Sequence, residues 1–454
     1  MTPLNRISTV LTALATSLLF AHGAFAAVSA DEAAKLKSSL TPFGAERSGN
    51  AAGTIPAWDG GYTKPDPSYK DGGKRGDPFA GEKPLYSISA KNMSQYADKL
   101  SEGVKAMLKK YPDSYRLDVY PTHRTSAAPQ SVYDNTFKNA TSGKLVETEA
   151  GPQPQNAQGG IPFPIPQSGS EAMWNHLLRW RGASWHSDFY QYLITAEGRP
   201  VLVTEARAEF QMPWYLPDGP KNGVYWSARL VNDGPPLRAG EAIAGVENVD
   251  ADKTATWTYL PGQRRVRRLP NACCDTPTPA TAGVMSFDEL YVFSGRMDRF
   301  DWKLVGKREM YIPYNANRIL SLDKTPDLFA EHHLKPENIR WELHRVWVVE
   351  ATLKPGKRHV MSKSTYYLDE DTWAAVLGER YDAKGQLAKV LWQLPVVMPD
   401  LPGVVMMNFG FYDMLSGAWF GGESYIGKNE QYRIVPAYKD SVFTPDAMAG
   451  EGVR

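Results

Sequence analysis

Four groups of residues in this sequence have side chains from which a reactive or binding site could be built. His332 and His333 are adjacent imidazoles. Neighbouring side chains point apart and no third ligand stands at a metal-binding spacing, so a solvated loop is the ordinary account of them. Asp369, Glu370 and Asp371 could offer hard oxygen ligands to calcium. They equally suit the tip of a tight turn between two strands. Arg264, Arg265, Arg267 and Arg268 could grip a phosphate or a lipid headgroup, or be the charged end of a strand in water. Cys273 and Cys274 are the two cysteines of the chain. Adjacent Cα atoms lie about 3.8 Å apart, below the usual disulfide span of about 4.4–6.8 Å. The pair is therefore either two free thiols in a Pro/Thr-rich loop or a strained vicinal bridge, which an oxidising compartment would allow. His-Glu-x-x-His, the Gly-x-Ser-x-Gly elbow, the P-loop and the dinucleotide-binding glycine motif are all missing from the sequence. The expectation is a protein with no catalytic residue, no metal and no cofactor; a hydrolase with an unfamiliar site is the remote alternative.

The stronger candidates are apolar. From Trp341 to Leu353, alternation puts Trp341, Leu343, Arg345 and Trp347 on one side of a strand. Trp257 and Tyr259 form a similar aromatic pair. These six residues are the expected ligand-binding set. They could instead be dry core, but a curved sheet with an aromatic inner face under a lid is also how a long apolar pocket is made. Arg345 needs a partner if it is buried: a carboxylate, carbonyls of the lid, or a ligand headgroup. If the lid holds it, ligand entry and lid opening would compete for one charge.

The elements that must position these residues follow from the pattern of the chain. Residues 1–26 read as a cleavable export signal: Arg6, an apolar run over residues 10–21, then Ala24-Phe25-Ala26. The apolar run is shorter than the roughly 20 residues that span a bilayer, so a soluble periplasmic protein is expected. Removing residues 1–26 takes away Arg6 and no acid, leaving 50 bases against 50 acids. That balance excludes nucleic acid as the main partner, because such binding needs a positive field.

Ser29 to Glu32 is a capping box that opens a short helix ending near Ser39. Residues 41–81 are rich in Gly, Pro and Asp and must wrap the surface. Helices are expected over residues 93–110, 131–140 and 170–180, with a Pro/Gly/Gln linker at 151–166. From residue 184 the period becomes two. Strands are expected at 184–195, 201–212, 223–231, 254–260, 302–314, 341–353, 362–368, 373–381, 388–394, 404–412 and 416–426. Short turns make neighbours antiparallel, and a sheet of this size curls. The fold class is thus α+β and mainly antiparallel β: a large curved sheet, an incomplete β-barrel, with helices over its concave side. Residues 27–168 would be a helical and extended region packed on the β region at 169–454, the two forming one domain.

The segment Trp257-Thr258-Tyr259-Leu260-Pro261-Gly262-Gln263-Arg264 and its arginine-rich continuation resemble the strand signature of outer-membrane lipoprotein-sorting proteins, the LolA/LolB-like superfamily. Gly53-Thr54-Ile55-Pro56-Ala57-Trp58, Pro162-Phe163-Pro164-Ile165-Pro166, Asp301-Trp302-Lys303-Leu304-Val305-Gly306-Lys307 and Arg340-Trp341-Glu342-Leu343-His344-Arg345 resemble the bacterial family called domain of unknown function 1329. The resemblance implies a LolA-like incomplete barrel. It also implies partnership with a resistance-nodulation-division type transporter and an outer-membrane protein, and it supplies no site residues. The expected function is that of a periplasmic carrier or binding protein for a lipid or other hydrophobic ligand. The alternative is a non-carrying accessory protein that docks on a pump or outer-membrane complex through residues 41–81 and 151–166.

Overall fold

The computed structural model describes residues 27–428 and 431–451; the expected export signal lies outside them. The chain enters through α1 (Ala30–Ala34), where the capping box is made: Ser29 Oγ accepts from the Glu32 amide at 3.2 Å. The expected helix at 93–110 is broken. A 3₁₀ segment, Met93–Lys99, ends where Leu100 turns extended, and Ser101 caps a separate α2 (Glu102–Lys110) by accepting from the Val104 amide. Ser101 offers the chain a fresh N-cap, and capping outweighs continuing the apolar stripe. Val104, Met107 and Leu108 of α2 are buried, each contributing roughly 1.5–3 kcal/mol. Helix α3 (Gln130–Ser142) follows, then α4 (Gly169–Leu177), all of whose residues are buried. Gly169 is required there, because a Cβ would sit 2.7 Å from the Trp302 backbone. Two short helices, α5 (Thr325–Leu328) and α6 (Pro445–Glu451), come later.

Early short strands are β1 (Tyr86–Ile88), β2 (Leu117–Val119) and a separate hairpin of β3 (Lys144–Thr148) and β4 (Gly151–Gln155). The hairpin takes the start of the segment expected to be linker. A first run of long strands comprises β5 (Ser184–Ile194), β6 (Pro200–Gln211), β7 (Val224–Gly234), β8 (Ala242–Asn248), β9 (Ala255–Leu260) and β10 (Arg265–Arg268). After a crossing segment come β11 (Phe300–Pro313), β12 (Trp341–Leu353), β13 (Met361–Asp369) and β14 (Ala375–Asp382). The last group is β15 (Leu387–Met398), β16 (Gly403–Asp413), β17 (Trp419–Ser424) and β18 (Tyr432–Ile434).

Sixteen of these strands make one sheet in the order β1-β2-β12-β13-β14-β15-β16-β17-β5-β6-β7-β8-β9-β10, with β11 on β12 and β18 on β5. The pairs are antiparallel except for a single parallel contact between Trp341 and Val119. The sheet is large, curved and not closed, as the sequence pattern predicts. All eleven expected strands form. The cover over the β5–β9 half is the irregular segment between β10 and β11 rather than the N-terminal helices. Helix α4 ties that segment to the sheet through His176, whose Nδ1 accepts from the Ala375 amide at 2.9 Å while Nε2 donates to the Phe293 carbonyl at 3.0 Å. Burial and the adjacent Arg179 charge hold this imidazole far below its usual pKa, so it stays neutral.

Candidate functional site

Between β5–β9 and the crossing segment lies an apolar cavity of about 120 Å³. Phe189 of β5, Phe210 of β6, Trp226 and Leu230 of β7, Ile243 of β8 and Phe409 of β16 form its wall; Ala272, Ala280, Phe287, Leu290 and Tyr291 close it from the crossing segment. Drug-sized sites run from about 300 to 1,000 Å³. A short apolar group fits as the cavity stands, and a longer chain enters only if the cover moves.

One end of the cavity is polar in a particular way. Glu423 of β17 is buried and accepts a hydrogen bond from the Tyr291 hydroxyl. It stands at a register shift between β17 and β5, with a left-handed φ of +48°. Such a bulge re-aims a side chain, and here it turns a carboxyl toward an aromatic chamber. Glu247 of β8 also lines the cavity and accepts from Tyr225 and Ser294. Burial pushes Glu423 up to about 8; the Tyr291 hydrogen bond and the Arg181 charge offset it only in part. Burial also raises Glu247. Gln191 aims a buried Oε1 that has no partner among the described residues. The polar end therefore consists of hydrogen-bond acceptors. The cover is strained where it meets them: Tyr291 and Val292 both have positive φ, +52° and +72°. For a β-branched residue this is a rarely adopted conformation, costing of order 1–3 kcal/mol.

A family model described as "Protein of unknown function (DUF1329)" matches residues 87–449. The chain belongs to this family. This DUF1329 protein is 40% identical, over 447 residues and 97% of both chains, to the uncharacterized protein PA3922 of Pseudomonas aeruginosa. It is also similar to a domain from Vibrio parahaemolyticus described as an outer membrane lipoprotein-sorting protein, at 13% identity and a TM-score of 0.41, covering 59% of this chain and 92% of that one. A DUF1329 family protein from Desulfovibrio piger is similar at 15% identity and a TM-score of 0.40, with the same coverage. A LolA superfamily protein, NE2245 of Nitrosomonas europaea, is similar at 12% identity and a TM-score of 0.35, covering 62% of this chain and all of that one. No helix among the described residues is long and apolar enough to cross a membrane.

The DUF1329 fold places the six residues chosen from sequence outside this cavity. Tyr259 packs with Ala242, Ala244 and Met448 of α6, and Trp257 joins that cluster. Thr256, one position away, faces the cavity instead. Alternation decides the matter, since the aromatic side of β9 is its other face. Trp341 lines a crevice of about 20 Å³ with Val104 and Trp392, and Leu343 is buried core. Trp347 stacks on Trp373 at 6.1 Å. Arg345 is buried, with its guanidinium 3.2 Å from Glu370 and donating to the Ser48 carbonyl at 3.1 Å. It thus pins the N-terminal wrapping segment, away from the cavity cover.

The acids expected at the tip of a tight turn are buried. Asp371 accepts both prongs of the Arg124 fork, at 2.9 and 2.6 Å. Glu370 meets Lys307 at 3.0 Å and Arg345. Asp369 accepts from Tyr314 and Thr372, and burial together with the Asp371 charge pushes it up to about 7. Across from it His344 contacts Glu342 at 3.0 Å and the Tyr314 ring at 3.9 Å. Burial alone would lower the His344 pKa, but the Glu342 hydrogen bond and charge raise it. The local sequence shows an ordinary turn; the arginine that buries it comes from 247 positions earlier. His333 is likewise buried, against Tyr115 and bonded to Ser114, not in a solvated loop. The quartet from Arg264 to Arg268 is at the sheet edge with Arg265, Arg267 and Arg268 exposed, and both cysteines are free thiols.

Proposed function

We propose that this protein is a periplasmic carrier for a lipid or other hydrophobic ligand, delivering it between an export transporter of the resistance-nodulation-division type and the outer membrane. The observation that carries the reading is the apolar cavity under a strained cover, with the buried carboxyl of Glu423 in its wall. Burying an acyl chain is worth up to about 0.8 kcal/mol per methylene, enough to hold cargo without any catalytic group. Native mass spectrometry of the purified protein should show a co-purifying hydrophobic molecule that organic solvent removes. Protein that is empty from every preparation, and that takes up no fatty acid or phospholipid, would reject the carrier reading in favour of a docking role.

Glu423 gives the site a pH signature. Its folded pKa, about 8, is above its ordinary 4.5. The stability it contributes is thus complete below the unfolded value and is lost as pH rises through the folded one. Between the two, this group alone should cost about 1.4 kcal/mol per pH unit. Urea midpoints measured between about pH 5 and pH 8 should fall accordingly, and Glu423→Gln should flatten the decline. An unchanged slope in that variant would show that Glu423 is ionised in the fold.

A further inference from the structure

A cleft of about 480 Å³ opens on the far side of the wall formed by Ala272 and Phe287. Bases outnumber acids in its lining, with Arg268, Arg296, Arg299, Lys357 and Arg358 against Glu247, Asp252 and Asp298, and it contains Cys273. The two cysteines are arranged unequally. Cys273 is half-buried at the cleft wall, while Cys274 is buried beneath it with a left-handed φ of +62°. That backbone turn brings both sulfurs to one side and into contact with each other. Arg299 Nη2 also points at Cys273 Sγ, at 3.8 Å. The Cys274 contact and the arginine charges lower the Cys273 thiol against the cost of burial, whereas the same contact and burial raise Cys274. An accessible thiolate with a buried thiol behind it is the arrangement of an attacking and a resolving sulfur.

We propose that Cys273 and Cys274 are a redox-active dithiol that exchanges with disulfide-bearing molecules admitted by the basic cleft, Cys273 attacking and Cys274 resolving. In the first step the Cys273 thiolate bonds to one sulfur of the incoming disulfide, and the other sulfur leaves as a thiolate. In the second, Cys274 Sγ bonds to Cys273 Sγ, the Cys273 bond to the incoming sulfur breaks, and that sulfur leaves with the Cys274 proton. Two thiols lose two electrons and two protons, and one disulfide is reduced to two thiols. The product is a vicinal disulfide. Its Cα spacing of about 3.8 Å lies below the common range, which marks it as a bond readily reduced again rather than a permanent staple.

Oxidised glutathione is the probe. The purified full chain, first reduced, is exposed to it, acid-quenched, alkylated under denaturing conditions and weighed intact. The wild type should lose the mass of two hydrogens and take up no alkyl group. Cys274→Ser should stop at a stable glutathione adduct on Cys273, and Cys273→Ser should react roughly tenfold more slowly or worse. Arg299→Gln, which keeps both thiols, should slow the wild-type reaction several-fold. The proposal is overturned if the wild type emerges with two alkyl groups, with a lasting glutathione adduct or as a disulfide-linked dimer. Equal reaction rates for the two single variants would overturn it too. The wild-type measurement decides on its own should a variant fail to fold.

Discussion

Arg124→Met will destabilise the protein by about 3–5 kcal/mol, read as a lowered urea midpoint with an unchanged slope. The guanidinium is buried and forks onto Asp371, approaches Glu370 at 3.7 Å, and donates to the carbonyls of Arg47 and Pro56. Its loss leaves the buried Asp371 without its counter-charge, next to two further buried acids, and frees the wrapping segment from the end of β13. Exposed ion pairs contribute about 0–1 kcal/mol, so a loss of that size would mean the cluster is hydrated in solution. Combining Arg124→Met with Asp371→Leu should recover much of the stability, because the cost lies in the stranded charge more than in the missing attraction. Limited proteolysis within residues 47–58 should accelerate in the single variant and return toward normal in the double one.

Gly245→Ile will weaken cargo binding about a hundredfold while leaving the fold intact. Gly245 of β8 lines the cavity, its backbone needs no left-handed conformation, and a Cβ there would meet Thr256 Oγ1 at an ordinary 3.4 Å. Isoleucine is at home in a strand and would put four carbons into about 120 Å³ of space. Excluding four methylenes of a ligand removes about 3 kcal/mol, or roughly a hundredfold in Kd. Fluorescence titration with a fatty acid probe would measure it, beside thermal melts to show that stability is kept. Undiminished binding would place the cargo elsewhere in the molecule.

Much of the fold is legible in the sequence because alternation and turn residues act locally. Trp341–Leu353 is a strand to the residue, as expected, and the Ser29–Glu32 capping box closes as its spacing requires. Strand β8 escapes the same reading because Ala242–Asn248, with its alanines, glycine and terminal asparagine, holds only two β-branched residues, Ile243 and Val246, and no aromatic one. The cavity is harder. Phe189, Phe210 and Trp226 are each ordinary alternating strand residues, and no local pattern says which side of a strand will meet a cover. Aromatic density points to Trp257 and Tyr259, yet threonine is what β9 turns to the cavity. One signal was available: Glu423, a lone acid in the apolar run Trp419-Phe420-Gly421-Gly422, where a carboxyl has to be accounted for. The buried acids at 369–371 could not be found in this way, because their counter-charge is brought in by the fold.

The position of β10 at one end of the sheet bears on how the protein can exist at high concentration. A terminal strand carries a row of unpaired amides and carbonyls that can template the addition of a strand from another molecule. Here that strand is only Arg265–Arg268, with three arginines exposed, and α6 packs against it and its neighbours. Two copies approaching through this border bring like charges together along the whole length that would have to pair. The arginines therefore guard this border of the open sheet against the addition of a strand from another copy.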